Sequence, residues 1–342
     1  MAAGGRKSGT CEAGFLYSLP AFLRVCAACA MLISNSSSWA AEGTTAAGPI
    51  GGNDIRSAIL PPPGLYGGIT GLNSSVGQVN DGTGNPAPGL NAVNLRADVV
   101  APFFLYVPDV KVFGGEVALF GLVPAGQECG QLVSAIPRRC VIGVGDPYVE
   151  ADWSRFFGQV RPPSVTGAFP IYQGLSISVG LGAVLPIGDY NQQLQYQNGV
   201  TLGNNTWDVA PTVAVTYTTP PMIADGTEFS AKFYWDNYGT NPLTDYHASS
   251  LLDVDFAISE HIGRFQLGPA GTYAFQTGED TQYGVVVPPD GRRFEYLALG
   301  GVVNYDLAEY GAAIRLKVLT TVVAQNSGVS NVIVLGFAKK LY

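Results

Sequence analysis

His247-Ala248-Ser249 sets an imidazole and a hydroxyl two residues apart. On a strand, positions i and i+2 share a face. The pair could therefore act as general base and nucleophile, with Asp245 or Glu279 orienting the ring. A three-residue match arises often by chance, so catalysis is the last of the readings carried forward and no catalytic residue is assigned. The other histidine, His261, falls in a predicted turn and is expected to be solvated. Glu279, Asp280 and Asp290 gather carboxylates of the kind Ca²⁺ prefers. Their spacing follows no ordered ligand pattern, so a solvated loop and no metal are expected. Gly180-Leu181-Gly182 resembles part of a nucleotide loop, but it sits in a strand-like run with no helix after it.

The cysteines divide by position. Cys26 and Cys29 have redox or metal spacing, but they lie in an apolar stretch, Val25–Ile33, preceded by Arg6, Lys7 and Arg24. Small residues at Ala40-Ala41 complete the three parts of an export signal. Residues 1–41 are therefore expected to be a cleaved signal peptide, which removes that pair. Cys129 and Cys140 remain, and an isolated pair in an exported chain favours a disulfide.

These groups need a frame. Charged residues make up 13% of the chain and hydrophobic ones 47%, with a positive mean hydropathy; soluble proteins carry about 25% charged residues. Yet no run approaches the roughly 20 apolar residues of a membrane helix. A barrel reconciles the two, because its apolar residues occupy alternate positions. The 44 glycines suit turns, and 33 Tyr plus Phe suit interfacial girdles. A net charge of −8 argues against nucleic acid, which needs a basic patch.

Period-two alternation recurs after residue 66. Phe229, Ala231, Phe233 and Trp235 oppose Ser230, Lys232, Tyr234 and Asp236; Leu252, Val254, Phe256 and Ile258 oppose Asp253, Asp255 and Ala257. No helical spacing is sustained. The fold class is all-β: a closed antiparallel transmembrane barrel of about twelve strands. The strands are 66–78, 91–106, 110–123, 146–158, 173–185, 206–219, 227–238, 248–259, 263–276, 293–306, 311–324 and 330–342. With both termini in the periplasm, the outer connections come out mostly longer than the inner ones, as such barrels require. The outer loop 124–145 carries the Cys129–Cys140 bridge. Pro211 and Pro269 fall inside strands and predict bulges. Residues 42–65 form a periplasmic leader or partial plug, stiffened by Pro61-Pro62-Pro63.

Strand charges concentrate on the polar faces: Arg96, Asp98, Glu116, Glu150, Asp152, Asp208, Lys232, Asp236, Asp253, Asp255, Arg315 and Lys317. A Lys or Arg facing lipid at the midplane costs roughly 2–4 kcal/mol. All twelve are therefore placed in the lumen, most of them paired across strands, with an excess of carboxylates that disfavours small anions. A dozen strands enclose a narrow lumen, which suits a gated or substrate-specific channel.

One further pattern is carried by Leu60-Pro61-Pro62-Pro63-Gly64-Leu65-Tyr66, Gly145-Asp146-Pro147, Leu185-Pro186-Ile187-Gly188-Asp189-Tyr190, Asn204-Asn205-Thr206-Trp207, Thr244-Asp245-Tyr246 and Gly291-Arg292-Arg293. In order and spacing the set resembles the outer-membrane transporter family named after the meta pathway of phenol degradation, over about residues 60–342. The resemblance implies an outer-membrane barrel and, more loosely, uptake of aromatic or hydrophobic compounds. The Cys129–Cys140 pair and the terminal Lys339-Lys340 depart from that pattern. The final Tyr342 matches the aromatic end by which barrels meet their insertion machinery.

The expectation is a monomeric outer-membrane channel, in contact with membrane lipid, for passive diffusion of a small hydrophobic or aromatic permeant, with no cofactor. The alternatives are a structural or adhesive barrel, and a lipid-acting hydrolase, since His247-Ala248-Ser249 resembles the His-x-Ser pairing of the much smaller lipid A deacylase barrels.

Overall fold

The computed structural model describes residues 53–342. The expected signal peptide and residues 42–52 of the expected leader lie outside them. Twelve antiparallel strands follow: β1 (Gly64–Val79), β2 (Asn94–Val107), β3 (Gly115–Leu122), β4 (Tyr148–Arg161), β5 (Ile171–Val184), β6 (Asp208–Thr218), β7 (Thr227–Tyr238), β8 (Leu251–Ile262), β9 (Phe265–Gln276), β10 (Glu295–Leu307), β11 (Ala312–Gln325) and β12 (Gly328–Lys340). Each pairs with its neighbour in sequence. β12 returns to β1 through the register Tyr66↔Lys340 to Val79↔Gly328, which closes the barrel.

Burial runs opposite to that of a soluble protein. In β6, Asp208, Ala210, Thr212, Ala214, Thr216 and Thr218 are buried, while Val209, Val213, Val215 and Tyr217 are exposed. Trp235 in β7 is 54% exposed beside Asp236 at 0%. A closed ladder satisfies every wall amide, and the apolar outer face can stand in hydrocarbon. Phe104, Tyr106, Phe157, Tyr217, Phe229, Phe265 and Phe337 ring one end of this face, with Trp207 and Trp235 nearer the other. Aromatic girdles of this kind mark the two interfaces of a membrane barrel.

Connections at the end holding the termini are shorter, as in Ile262-Gly263-Arg264-Phe265, where Gly263 takes a left-handed φ of 59°. Those at the opposite end are mostly longer. By the rule for outer-membrane barrels, the turn end is periplasmic and the loop end extracellular.

Three expectations are corrected. The loop 124–145 is a β-hairpin, Ala125–Gln131 with Arg139–Val144, which pairs with the extracellular half of β2 from Val100↔Ala125 to Asn94↔Gln131. Pro124 and Pro147 interrupt the wall where this hairpin leaves β3 and β4, since proline has no N–H for a ladder. No bulge forms at Pro211 or Pro269: Leu181↔Pro211 and Pro269↔Gly301 hold their register. The strand loses a hydrogen bond there and keeps its frame. The irregularities lie instead at Val76/Gln78 and Leu297/Ala298. Finally, the loop after β5 contains a short helix, α1 (Gln192–Asn198), capped by Asn191, whose side chain accepts from the Leu194 N–H, and by Gly199 with φ of 70°.

Candidate functional site: the lumen and its two closures

The lumen is lined by side chains that a soluble core would reject. Lys232 lies 2.7 Å from Glu150 and 3.8 Å from Asp152, and Thr212 donates to Glu150 at 2.7 Å. Asp253 accepts from Thr272 at 3.2 Å, and Asp208 accepts the Asn237 N–H at 2.9 Å. Asp236, Asp255 and Lys317 are buried on the same inner face. Arg315 points inward from β11, and Glu116 faces in from β3 opposite Ser154.

Arg96 and Asp98 do not join them. Their strand positions alternate with buried-side Leu95, Ala97 and Val99, and they share the face of Val100, Phe104 and Tyr106, three residues exposed on the outside of the wall. The two form an exposed ion pair at 2.8 Å, with Asn73 donating to Asp98 at 2.5 Å. They sit near the extracellular end of β2, where the wall leaves hydrocarbon, so the midplane penalty that argued for the lumen does not apply.

His261 is also corrected. It is buried on the inner face at the end of β8, with Nε2 3.3 Å from Glu228. The strand runs three residues past the expected end, and that extension turns a solvated position into a lumenal one.

The centre of the lumen is occupied by the chain itself. Residues 53–60 enter ahead of β1, with Asp54, Ile55 and Ala58 buried. The main chain of this strap is held by wall groups. The Asn53 N–H donates to Asp255 at 3.2 Å, Arg56 to Glu228 at 2.7 Å, Ser57 to Ser230 at 3.0 Å and Ala58 to Thr216 at 3.1 Å. Asp54 lies 2.7 Å from Lys317, and Arg56 lies 3.3 Å from Asp306. Glu228, Asp306, Asp54 and Arg56 were not singled out from the sequence. Strand parity would have placed Glu228 inside with Ser230 and Lys232; nothing local marks the strap residues.

The extracellular end is closed by loops, and here the separated sequence motifs converge. Asp146 accepts N–H groups from Gly188 at 2.8 Å and Asn204 at 2.7 Å. Asp189 exchanges two hydrogen bonds with Val144, at 2.7 and 2.8 Å. A Cβ on Gly188 would stand 2.5 Å from the Gly145 backbone, so only glycine fits that approach. Burial pushes the Asp146 carboxyl above the usual carboxylate range, against the opposing pull of its backbone donors.

A second node joins the Thr244-Asp245-Tyr246 and Gly291-Arg292-Arg293 motifs. Tyr246 donates to Asp280 at 2.6 Å, as do Gln276 at 2.7 Å and the Ser249 N–H at 2.8 Å. The Asp280 N–H donates to the Gly291 carbonyl. Burial raises the Asp280 carboxyl as well. Glu279 pairs with Arg293 at 3.0 Å, and Asp290 accepts the Arg292 N–H at 3.0 Å. The carboxylates considered for Ca²⁺ are thus engaged by protein donors. No hydrogen bond joins His247 to Ser249 among the described residues; the Ser249 amide serves Asp280. Cys129 and Cys140 form a disulfide between facing residues of the extracellular hairpin.

A closed barrel with an apolar outer belt, a charged interior and long loops at one end is an outer-membrane β-barrel of the channel type. The chain belongs to the family described as "Putative MetA-pathway of phenol degradation", whose model matches residues 76–335. The fold is that of an outer membrane channel from Pseudomonas putida F1: TM-score 0.65 at 14% identity, over 85% of this chain and 99% of that one. The toluene transporter TodX from Pseudomonas putida aligns at TM-score 0.38 and 10% identity, over 88% of this chain and 96% of that one. The β domain of the Bordetella autotransporter BrkA aligns at 0.42 and 13%, over 81% and 100%. No curated protein matches the chain.

Proposed function

We infer that this protein is an outer-membrane channel through which a small hydrophobic or aromatic compound diffuses passively. The observation that carries the reading is the content of the lumen. Its centre is filled by a strap that belongs to no wall strand, leads into the start of β1 and is held to the wall by hydrogen bonds and ion pairs. A barrel built for adhesion has no need of a removable filling. The strap is a partial plug, and the cap at Asp146 and Asp280 is the second closure. The lumenal carboxylates and cations, Arg96 and Asp98 excepted, line the path.

Membership of a family named for phenol degradation fits an aromatic permeant, and the barrel's likeness to an outer membrane channel fits a permeation role. The complete ladder supports a monomer, since no wall edge between β12 and β1 is left to pair. Exposed Tyr342 follows β12 and suits recognition by the insertion machinery.

The test is initial uptake of labelled toluene, phenol, a long-chain fatty acid, a sugar and chloride by cells with and without the gene. Faster entry of the aromatic or fatty compound alone is expected. Equal entry of every compound overturns the reading in favour of the adhesive barrel.

A further inference from the structure

The ion pairs inside the barrel are of two kinds. Lys232 is neutralised by the wall itself, through Glu150 and Asp152. Lys317 is not. Among the described residues, Asp54 of the strap is the only carboxylate within 4.0 Å of it, at 2.7 Å from Oδ2. The other oxygen, Oδ1, is 3.8 Å from the Arg315 guanidinium. Both cations project inward from β11, two residues apart, and Lys317 is 1% exposed. One buried carboxylate is therefore addressed by two wall cations, one at each oxygen.

The next strap residue fills the adjoining space. Ile55 is 3% exposed and packs with Ala257, Ala270 and Val302. Val302 is the direct cross-strand partner of Lys317. The wall thus presents a cationic pair beside a small apolar floor, and the strap covers it with a carboxylate joined to an aliphatic group. Withdrawal of the strap removes the carboxylate in contact with Lys317 and Arg315 and leaves these two cations to the more distant wall carboxylates Asp255 and Glu228. A buried ammonium that loses its contact partner is unfavourable, so the position favours an anion of the same shape.

We propose that Arg315 and Lys317, with the floor at Ala257, Ala270 and Val302, form a binding subsite for small carboxylic acids bearing an aromatic or short aliphatic group. Asp54-Ile55 is the tethered stand-in for that ligand. The proposal rests on the reading of the lumen as a permeation path. It also refines the expectation from the net lumenal charge: carboxylates dominate the lining, but this position selects an anion.

The experiment is block of ionic current through the reconstituted barrel by benzoate, with neutral benzyl alcohol of similar size as the comparison. Two variants expose the subsite: deletion of residues 53–58, and Asp54→Asn in the full chain. Heat-modifiable migration on gels reports folding, and the second variant decides if the first fails to fold. Benzoate should block both and benzyl alcohol neither. Adding Lys317→Gln should weaken block at least about thirtyfold, the low end of the effect of truncating one partner of a buried charge pair. Equal block by the two compounds, or benzoate block indifferent to Lys317→Gln, overturns the proposal. Block at the subsite in a strain that takes up no aromatic compound supports the subsite and counts against the uptake reading, so the two stand or fall separately.

Discussion

Lys232 of β7 and Glu150 of β4 meet along the inner face of the wall at 2.7 Å, both nearly inaccessible. They stand on strands separated by β5 and β6, and they meet because β5 carries Gly180 and Gly182 between them. A Cβ on Gly180 would stand 2.5 Å from Asp152, and one on Gly182 would stand 2.3 Å from the Tyr148 hydroxyl. The wall is thinned there so that long side chains can cross it.

Removing the cation should therefore be costly. Lys232→Met leaves Glu150 and Asp152 facing each other without compensation, and breaking a buried pair in this way costs roughly 3–5 kcal/mol. Urea unfolding in lipid vesicles, followed by tryptophan fluorescence, should show that loss. Adding Glu150→Gln should recover a substantial part of it. Equal stability of the single and double variants would show that the pair is not coupled.

The two ends of the barrel should respond to acid in opposite directions. At the cap, burial raises the carboxyls of Asp146 and Asp280, so the closed state prefers them protonated. Closure then strengthens as pH falls from the raised value towards the ordinary carboxylate value near 4, and is lost as pH rises through the raised one. At the periplasmic end, Asp225 accepts from Ser164 at 2.6 Å and from the Gly263 N–H at 2.8 Å, and these bonds hold its carboxyl low. That contribution is present above the ordinary carboxylate value and is lost as pH falls through the lowered one. Amide hydrogen exchange between pH 7 and 4 should show protection growing at 186–189 and 203–204 as pH falls. Protection at 263 should hold across that range and decline only below about pH 4. Asp146→Asn should flatten the first trend and Ser164→Ala should weaken the second contact; parallel trends at both ends would refute the assignment.

Much of this was legible in the chain, and the exceptions have physical causes. Strands such as β6 and β7 carry apolar residues on one face and polar ones on the other, so period two fixed both the element and its orientation. β2 does not: Leu95, Val99, Phe103 and Leu105 oppose Val100, Phe104 and Tyr106, and apolar residues on both faces leave parity undetermined. Arg96 and Asp98 were misplaced for that reason. The Asp54–Lys317 contact joins the two ends of the sequence, and nothing around either residue announces the other. The Asp146 node is intermediate: its motifs were visible as ordered fragments, but that Gly188 and Asn204 both donate to one carboxylate follows only from the folded loops.

Reduction of the Cys129–Cys140 bond should loosen the extracellular hairpin and leave the wall intact. The bond closes a short segment, with a sequence separation of 11, and the loop-closure relation gives it about 3 kcal/mol of chain entropy. The hairpin's own ladder, from Ala125↔Val144 to Gly130↔Arg139, remains. Limited proteolysis should cut within 132–138 faster in the Cys129→Ser/Cys140→Ser variant, while heat-modifiable migration is unchanged. Loss of that migration would mean that the hairpin is needed for barrel closure.

The outward placement of Arg96 and Asp98 makes a contrasting prediction. Both side chains are solvent-exposed at the rim, and exposed pairs of this kind contribute little to stability because water solvates each partner alone. Arg96→Gln/Asp98→Asn should therefore leave unfolding, conductance and ion selectivity as they are. Asp98→Cys should react with a maleimide too bulky to enter the lumen, whereas Asp236→Cys, buried on the inner face of β7, should resist it. Reaction at both positions would mean the lumen is open to the reagent. Protection of Asp98→Cys alone would return that residue to the interior and reverse the face of β2, and with it the outward positions of Val100, Phe104 and Tyr106.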